Sequence, residues 1–200
     1  MLTNHVRNIL AVYYQASEYD RQTGMDWYDR AYIIAENLAI LYNIEVRQAA
    51  GVIAAISPRV SWSRNVILAE QLISGYKKSL PVEMYTKGIM ADGCGKAHQI
   101  LKGNAPVSTI LKGNKVRAFY ICILTPEMTE AVCVDTHAIS IALGFRCKDK
   151  DTAKIFKSEK LYNEIAEAYR NAAVVAGIRP HQMQAVTWVT WRRLQLGIVD

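Results

Sequence analysis

Leu111-Lys112-Gly113-Asn114-Lys115-Val116-Arg117-Ala118-Phe119 is followed further along the chain by Val132-Cys133-Val134-Asp135-Thr136-His137-Ala138. The first stretch reads as a tight turn between two apolar segments. Gly113 permits a positive φ there, and the turn opens a helix that carries Lys115 and Arg117. The N–H groups at such an opening favour a phosphate. The second stretch is a short apolar, β-like run that delivers one carboxylate, Asp135, to the start of another helix, where the helix dipole stabilises negative charge. A basic turn and a lone aspartate point to a site that grips a phosphate backbone and does chemistry beside it. Each element also has a plain structural reading: an interhelical turn with solvated lysines, and an aspartate that caps its helix.

Working outward from this pair, helical periodicity dominates. Val6, Ile9, Tyr13 and Ala16 form one stripe, and Trp27, Ala31, Ile34, Leu38 and Leu41 a second. Leu161, Ile165, Ala168, Ala172 and Val175 repeat the spacing. Val46 to Ile56 is apolar almost all round, which predicts a central buried helix. A further helix is expected from Ser61 to Tyr76, with Ser61 or Ser63 near its cap. Pro58, Pro81, Pro106, Pro126 and Pro180 fall between periodic segments, and Pro180 suits the first turn of a last helix ending near Leu196. Only Ala131 to Val134 looks strand-like, and it is too short for a sheet. The fold class expected is all-α, with about nine or ten helices joined by short loops. The chain reads as a single unit over residues 1–200, with a core over approximately 45–145. The N- and C-terminal helices form a second lobe, because Ile178 to Leu196 is expected to pack back on the N-terminal helix.

Composition bounds the function. In 200 residues, 51% are hydrophobic and 21% charged, which suits a packed domain rather than a disordered chain. The net charge of 24 − 18 = +6 is compatible with a polyanionic partner. Cys94, Cys122, Cys133 and Cys147 include no Cys-x-x-Cys pair, so neither a zinc site nor an iron–sulfur cluster is expected, and no cofactor. Cys122 and Cys133 lie in apolar company and read as reduced core thiols. Met1 to Arg7 leads directly into an amphipathic pattern, without a signal peptide. No apolar run reaches transmembrane length. The expected location is the cytoplasm, with no membrane partner.

With these segments the sequence resembles the helix-hairpin-helix DNA glycosylases of the endonuclease III type. In that family a hairpin of the form Leu-Pro-Gly-x-Gly-x-Lys-x-Ala binds the DNA backbone, and a Val-Asp-Thr-His-like segment follows whose aspartate is catalytic. The matching residues here are Leu111, Gly113, Lys115 and Ala118, then Val134, Asp135, Thr136 and His137. Ala49 to Asn65, with Ile56-Ser57-Pro58-Arg59 and Trp62-Ser63-Arg64-Asn65, resembles the family's helix, pocket loop and next helix. Gly95-Lys96-Ala97-His98-Gln99-Ile100-Leu101 is similar to the helix leading toward the hairpin. The second hairpin glycine is absent, since Asn114 and Lys115 follow Gly113. The separation of Lys115 from Asp135 is about one residue longer than the family pattern, and Arg117 occupies the ungapped register. Arginine does not give up its proton and so is no Schiff-base nucleophile.

The resemblance implies two helical lobes, double-stranded DNA as partner, and Asp135 as the catalytic residue, with Lys115 a second candidate. It implies DNA contacts from Lys112, Gly113, Asn114, Arg117 and His137, and a base pocket lined by Arg59, Trp62, Arg64 and Asn65. The expected function is cleavage of the N-glycosidic bond of a damaged or modified base by an Asp-assisted water, without lyase chemistry. Some relatives encoded by phages are implicated in making hypermodified thymines, so a base-modifying transferase on the same fold is the alternative enzyme, acting in the host cytoplasm. A helix-hairpin-helix protein that binds DNA without catalysis is the alternative outside enzymology. On the last helix, Trp188 and Trp191 share a packed face, and Arg192 and Arg193 are candidates for phosphate or for solvent.

Overall fold

The computed structural model describes residues 3–197, apart from the side chains of 149 and 196. Described residues form helices and loops without a strand. The helices are α1 (Asn4–Tyr14), α2 (Glu18–Met25), α3 (Trp27–Tyr42), α4 (Val46–Ile56), α5 (Trp62–Lys77), α6 (Val82–Tyr85), α7 (Ala91–Lys102), α8 (Val107–Ile110), α9 (Asn114–Leu124), α10 (Thr136–Leu143), α11 (Asp149–Lys157), α12 (Glu159–Ala176) and α13 (Pro180–Leu196). The fold class is all-α. Among the described residues there are thirteen helices rather than nine or ten, because local chemistry cuts the periodic stretches more finely. Pro81 and Pro106 each start a single-turn helix, as a ring that fixes φ and lacks an N–H favours. Ser158 ends α11 and starts α12, its hydroxyl accepting the Leu161 N–H. No single helix is long and apolar enough to cross a membrane.

The chain divides into two units, one of Met1–Arg30 with Thr125–Asp200 and one of Ala31–Leu124. The sequence reading sets these bounds near 45 and 145 instead. Helix α3 runs through the first boundary.

In the 31–124 unit, α4 is the axis. Every residue from Ala49 to Ile56 is buried, as its all-round apolar sequence dictates. Helices α5, α7 and α9 pack on it. Two amides satisfy helix-end carbonyls that have no partner within their own helix. Asn65 Nδ2 donates to the Ile53 carbonyl at 3.1 Å, and Gln48 Nε2 donates to the Ile100 carbonyl at 2.9 Å and to that of Leu101 at 3.2 Å.

In the other unit the C-terminal helix packs on α2. A side chain at Gly24 would place its Cβ 2.4 Å from the Val186 Cα, so only glycine allows this approach. Asp20, 1% exposed, accepts from Arg193 Nη2 at 2.6 Å and Nε at 2.9 Å. Burial pushes the Asp20 carboxyl up, but the Arg193 and Ser17 hydrogen bonds and the guanidinium charge outweigh it and hold the group below its ordinary value. Arg193 is therefore committed to an internal ion pair. Arg192 instead lies over the Trp188 ring, 4.1 Å from its centroid.

The strand-like run of this unit has no sheet to join. Val132, Cys133 and Val134 are buried, the Val134 N–H turns back to the Val132 carbonyl at 3.0 Å, and the Tyr162 hydroxyl of α12 bridges the same two groups. It donates to the Val132 carbonyl and accepts from the Val134 N–H, both at 3.1 Å. The substitution Tyr162→Phe removes the second partner of each group and leaves the first, the bond between them. Chemical denaturation should show a loss of about 1 kcal/mol; no measurable loss would contradict the role given to the hydroxyl.

His181, beside Pro180 at the start of α13, is 1% exposed and its Nδ1 has no partner among the described residues. Its ring meets Tyr28 edge-on at 5.4 Å. Burial, helped by the positive charge of Arg179, lowers its pKa to about 4 from an ordinary 6.5. The folded state thus binds a proton less readily than the unfolded chain. The stability of the neutral ring is fully present above pH 6.5 and is lost as pH falls toward 4. The whole step amounts to about 3 kcal/mol. Denaturation midpoints measured between these limits should fall steeply for the native chain and less steeply for His181→Gln; parallel curves would exclude the assignment.

Candidate functional site

Asp135 is delivered by the buried Val132–Val134 run to the N-cap of α10. Its backbone is extended, at φ −101° and ψ −173°, and its Oδ1 accepts the Ala138 N–H at 2.7 Å. The residue remains half-exposed although its three predecessors are buried. The Oδ1 atom is held by the helix, which fixes the direction of the carboxylate. Among the described residues no side chain or backbone group donates to Oδ2. Beneath it lies Tyr169 of α12, fully buried, whose hydroxyl donates to the Ala138 carbonyl at 3.3 Å. Burial raises the Tyr169 hydroxyl far above its ordinary range, and the Asp135 charge adds to that, so this hydroxyl stays protonated. The result is a rigid anion at a helix N-terminus on a hydrophobic floor.

His137, in the first turn of α10, is half-buried and its ring meets Trp188 edge-on at 6.4 Å. Trp188 meets Trp27 in turn at 6.2 Å. Trp188 and Arg192 of α13 thus form, with Trp27 and His137, an aromatic and cationic cluster in the same unit as Asp135. Trp188 was legible from sequence only as a packing residue.

The turn predicted at Gly113 lies in the other unit, between α8 and α9. Gly113 adopts φ +81°, and a Cβ placed there would meet nothing within 4 Å, so glycine is required by backbone conformation and not by crowding. The Gly113 carbonyl accepts the Arg117 N–H at 3.2 Å, which makes Gly113 the residue that starts α9. An α-helix has no acceptor of its own for its first-turn N–H groups, which in α9 include those of Asn114 and Val116. Lys112 and Arg117 are exposed, Asn114 and Lys115 half-buried. Arg117 Nε donates back to the Leu111 carbonyl at 2.9 Å, and Lys112 Nζ to the Thr109 carbonyl at 2.9 Å. Both cations therefore brace the turn they were expected to arm, and Arg117 keeps its exposed guanidinium tip.

The four residues expected around a base divide sharply. Arg59 is exposed in the loop between α4 and α5, with a left-handed φ of +61° that a non-glycine residue adopts at a cost of about 1–2 kcal/mol. Trp62, half-buried at the start of α5, meets Phe119 of α9 edge-on at 6.3 Å. This contact brings the loop and the hairpin helix together within one unit. Arg64 is exposed, whereas Asn65 is 2% exposed and tied to the Ile53 carbonyl. Asn65 holds the two helices that frame the loop, a role its sequence position does not disclose. Among the described residues no group of three His, Cys, Asp or Glu side chains is placed to hold a metal ion.

A family model matches this chain over residues 1–195. The chain belongs to DUF7178, a family of unknown function. No curated protein and no solved structure matches the DUF7178 chain.

The capping and chemical roles of Asp135 separate by substitution. Asparagine caps helices as well as aspartate does, while alanine does not. In thermal or chemical denaturation, Asp135→Ala of the DUF7178 protein should lose about 1 kcal/mol and Asp135→Asn only a few tenths. Equal losses for both would show that the carboxylate charge, and not the cap, stabilises this helix.

Proposed function

We propose that this DUF7178 protein binds duplex DNA and cleaves the N-glycosidic bond of a damaged or modified base. The observation that carries the reading is Asp135: a half-exposed carboxylate fixed at Oδ1 by its own helix, with Oδ2 left unmatched among the described residues. A charge held in this way needs no rearrangement to stabilise a cation that develops beside it.

The chemistry follows from that charge. As the bond from the sugar to the base lengthens, positive charge builds on the deoxyribose ring, and the Asp135 carboxylate opposes it. The bonding electrons leave with the base, which takes a proton from solvent. A water attacks the anomeric carbon and gives its proton to Asp135, which returns it to solvent and restores the carboxylate. The hairpin supports the DNA-binding part of the reading: Lys112, Gly113, Asn114 and the tip of Arg117 offer cations and helix-start N–H groups to backbone phosphates. Arg59, Trp62 and Arg64 are the proposed wall for a flipped base, held by Asn65. Lys115 is assigned to the phosphate backbone in preference to a Schiff base.

The Ala138 hydrogen bond favours one rival, in which Asp135 is only a cap and the protein binds DNA without chemistry. Duplexes carrying a panel of modified bases decide between them, assayed for free base and abasic sites by mass spectrometry. The native protein should release base from at least one, and Asp135→Asn should be slower by at least about a hundredfold. No release from any duplex, or equal release by the variant, would overturn the reading. An altered nucleoside without an abasic product would mark a base-modifying transferase instead.

A further inference from the structure

The helix α7 carries a second chemical constellation, independent of the proposed DNA chemistry. Cys94 and His98 are four residues apart on one face, and Cys94 Sγ lies 3.5 Å from His98 Nδ1. On the other side of the ring, His98 Nε2 lies 2.9 Å from the Tyr85 hydroxyl. Tyr76 of α5 flanks the same ring, with centroids 6.0 Å apart. The order is thiol, imidazole, tyrosine: a nucleophile in reach of a base that a third group orients.

We propose that Cys94, His98 and Tyr85 form a nucleophilic thiol site that reacts with small-molecule disulfides. Three observations support it. Of the four cysteines, Cys122 and Cys133 are buried, and the half-buried Cys147 directs its thiol at the Phe145 carbonyl, 3.7 Å away, with Ser140 and the Asp151 carboxylate near it and, among the described residues, no imidazole in contact. Cys94 alone combines partial exposure with an imidazole in reach. The two glycines flanking it differ in kind. Gly93 is forced, since a Cβ there would come 2.8 Å from the Ala55 carbonyl oxygen. Gly95 is exposed and a Cβ there would meet nothing within 4 Å, so packing does not require it. A helix gives up about 1 kcal/mol for such a glycine; here it leaves the flank of the thiol open to an incoming group.

The reaction balances without an external oxidant or metal. His98 Nδ1 takes the Cys94 thiol proton as Sγ attacks one sulfur of the disulfide. A bond forms between Sγ and that sulfur, the disulfide bond breaks, and the departing thiolate collects the proton from His98. The products are a mixed disulfide on Cys94 and one free small thiol. In this tautomer His98 Nε2–H donates to the Tyr85 hydroxyl oxygen, which fixes the ring with its basic nitrogen toward sulfur. Burial pushes the Cys94 thiol up, so the site works by moving a proton during attack and not from a standing thiolate. The titratable groups in contact with His98 are Cys94, Tyr85 and Tyr76; Glu83 on α6 acts on Tyr85, and the Asp92–Lys96 pair lies elsewhere on α7.

The experiment is modification of the intact protein by dipyridyl disulfide, with rates at each cysteine read by peptide mass mapping between pH 5 and 9. At pH 7 Cys94 should react at least tenfold faster than Cys147. Its rate should depend on pH less steeply than a free thiol's. In His98→Gln the Cys94 rate should drop at least tenfold and rise in proportion to hydroxide, while buried Cys122 of the same unit stays as unreactive as in the native protein and so reports folding. Tyr85→Phe should slow Cys94 by a smaller factor. A native Cys147 rate equal to or above that of Cys94 would overturn the proposal without any variant. So would a His98→Gln protein in which the Cys94 rate stays within twofold of native.

Discussion

The Tyr162 hydroxyl pins a short run of buried backbone. Val132 to Val134 crosses a hydrophobic core outside any helix, and its Val132 carbonyl and Val134 N–H, joined to each other at 3.0 Å, both take the Tyr162 hydroxyl as a second partner. No sheet exists among the described residues to supply partners, and one phenol provides both a donor and an acceptor. Everything argued for Asp135 depends on this. The run ends on the residue that opens α10, so pinning the run sets where the carboxylate emerges from the core. The Ala138 N–H then fixes the orientation of the carboxylate at 2.7 Å. Tyr169, two turns of α12 further along at the Ala138 carbonyl, closes the floor below. Two tyrosines of a single helix thus hold the lead-in and the base of the candidate site.

The other unit follows the same economy by different means. Its axis, α4, is buried from Ala49 to Ile56, and at its end the Ser57 hydroxyl serves the Ala54 carbonyl at 3.0 Å but not that of Ile53. Amides on neighbouring segments serve instead: Asn65 reaches the end of α4, and Gln48 of α4 reaches the end of α7. The loop after α4 can then present Arg59 in a left-handed conformation, because the helices on both sides of it are tied. Strain of this kind persists where the surroundings over-determine the backbone.

Much of this was legible in the sequence wherever a segment's own pattern decided it. The bounds of α4 coincide with the apolar run Val46–Ile56, and Pro180 opens α13 as its missing N–H allows. Asp135 sits at the start of its helix and Gly113 takes the positive φ expected of it. The reading failed where a distant partner decides. Nothing local announces that Arg193 is bound to Asp20 across the sequence, that Asn65 serves the Ile53 carbonyl, or that Tyr162 bridges Val132 and Val134. The Cys94–His98 spacing was visible, but its meaning comes from Tyr85, brought to His98 by the fold. The extra helix breaks were missed for a milder reason: single-turn helices after proline and a serine shared by two helices leave the hydrophobic period almost unaltered.

The central claim is that Asp135 is an anion positioned to meet a cationic sugar. Binding to two otherwise identical DNA duplexes tests it most directly. One carries a neutral tetrahydrofuran abasic analogue and the other a cationic azasugar at the same position. The account predicts that the native protein binds the cationic duplex at least about tenfold more tightly, a difference near 1.4 kcal/mol, and that Asp135→Asn abolishes the preference while still binding both. Equal affinity of the native protein for the two duplexes would contradict it.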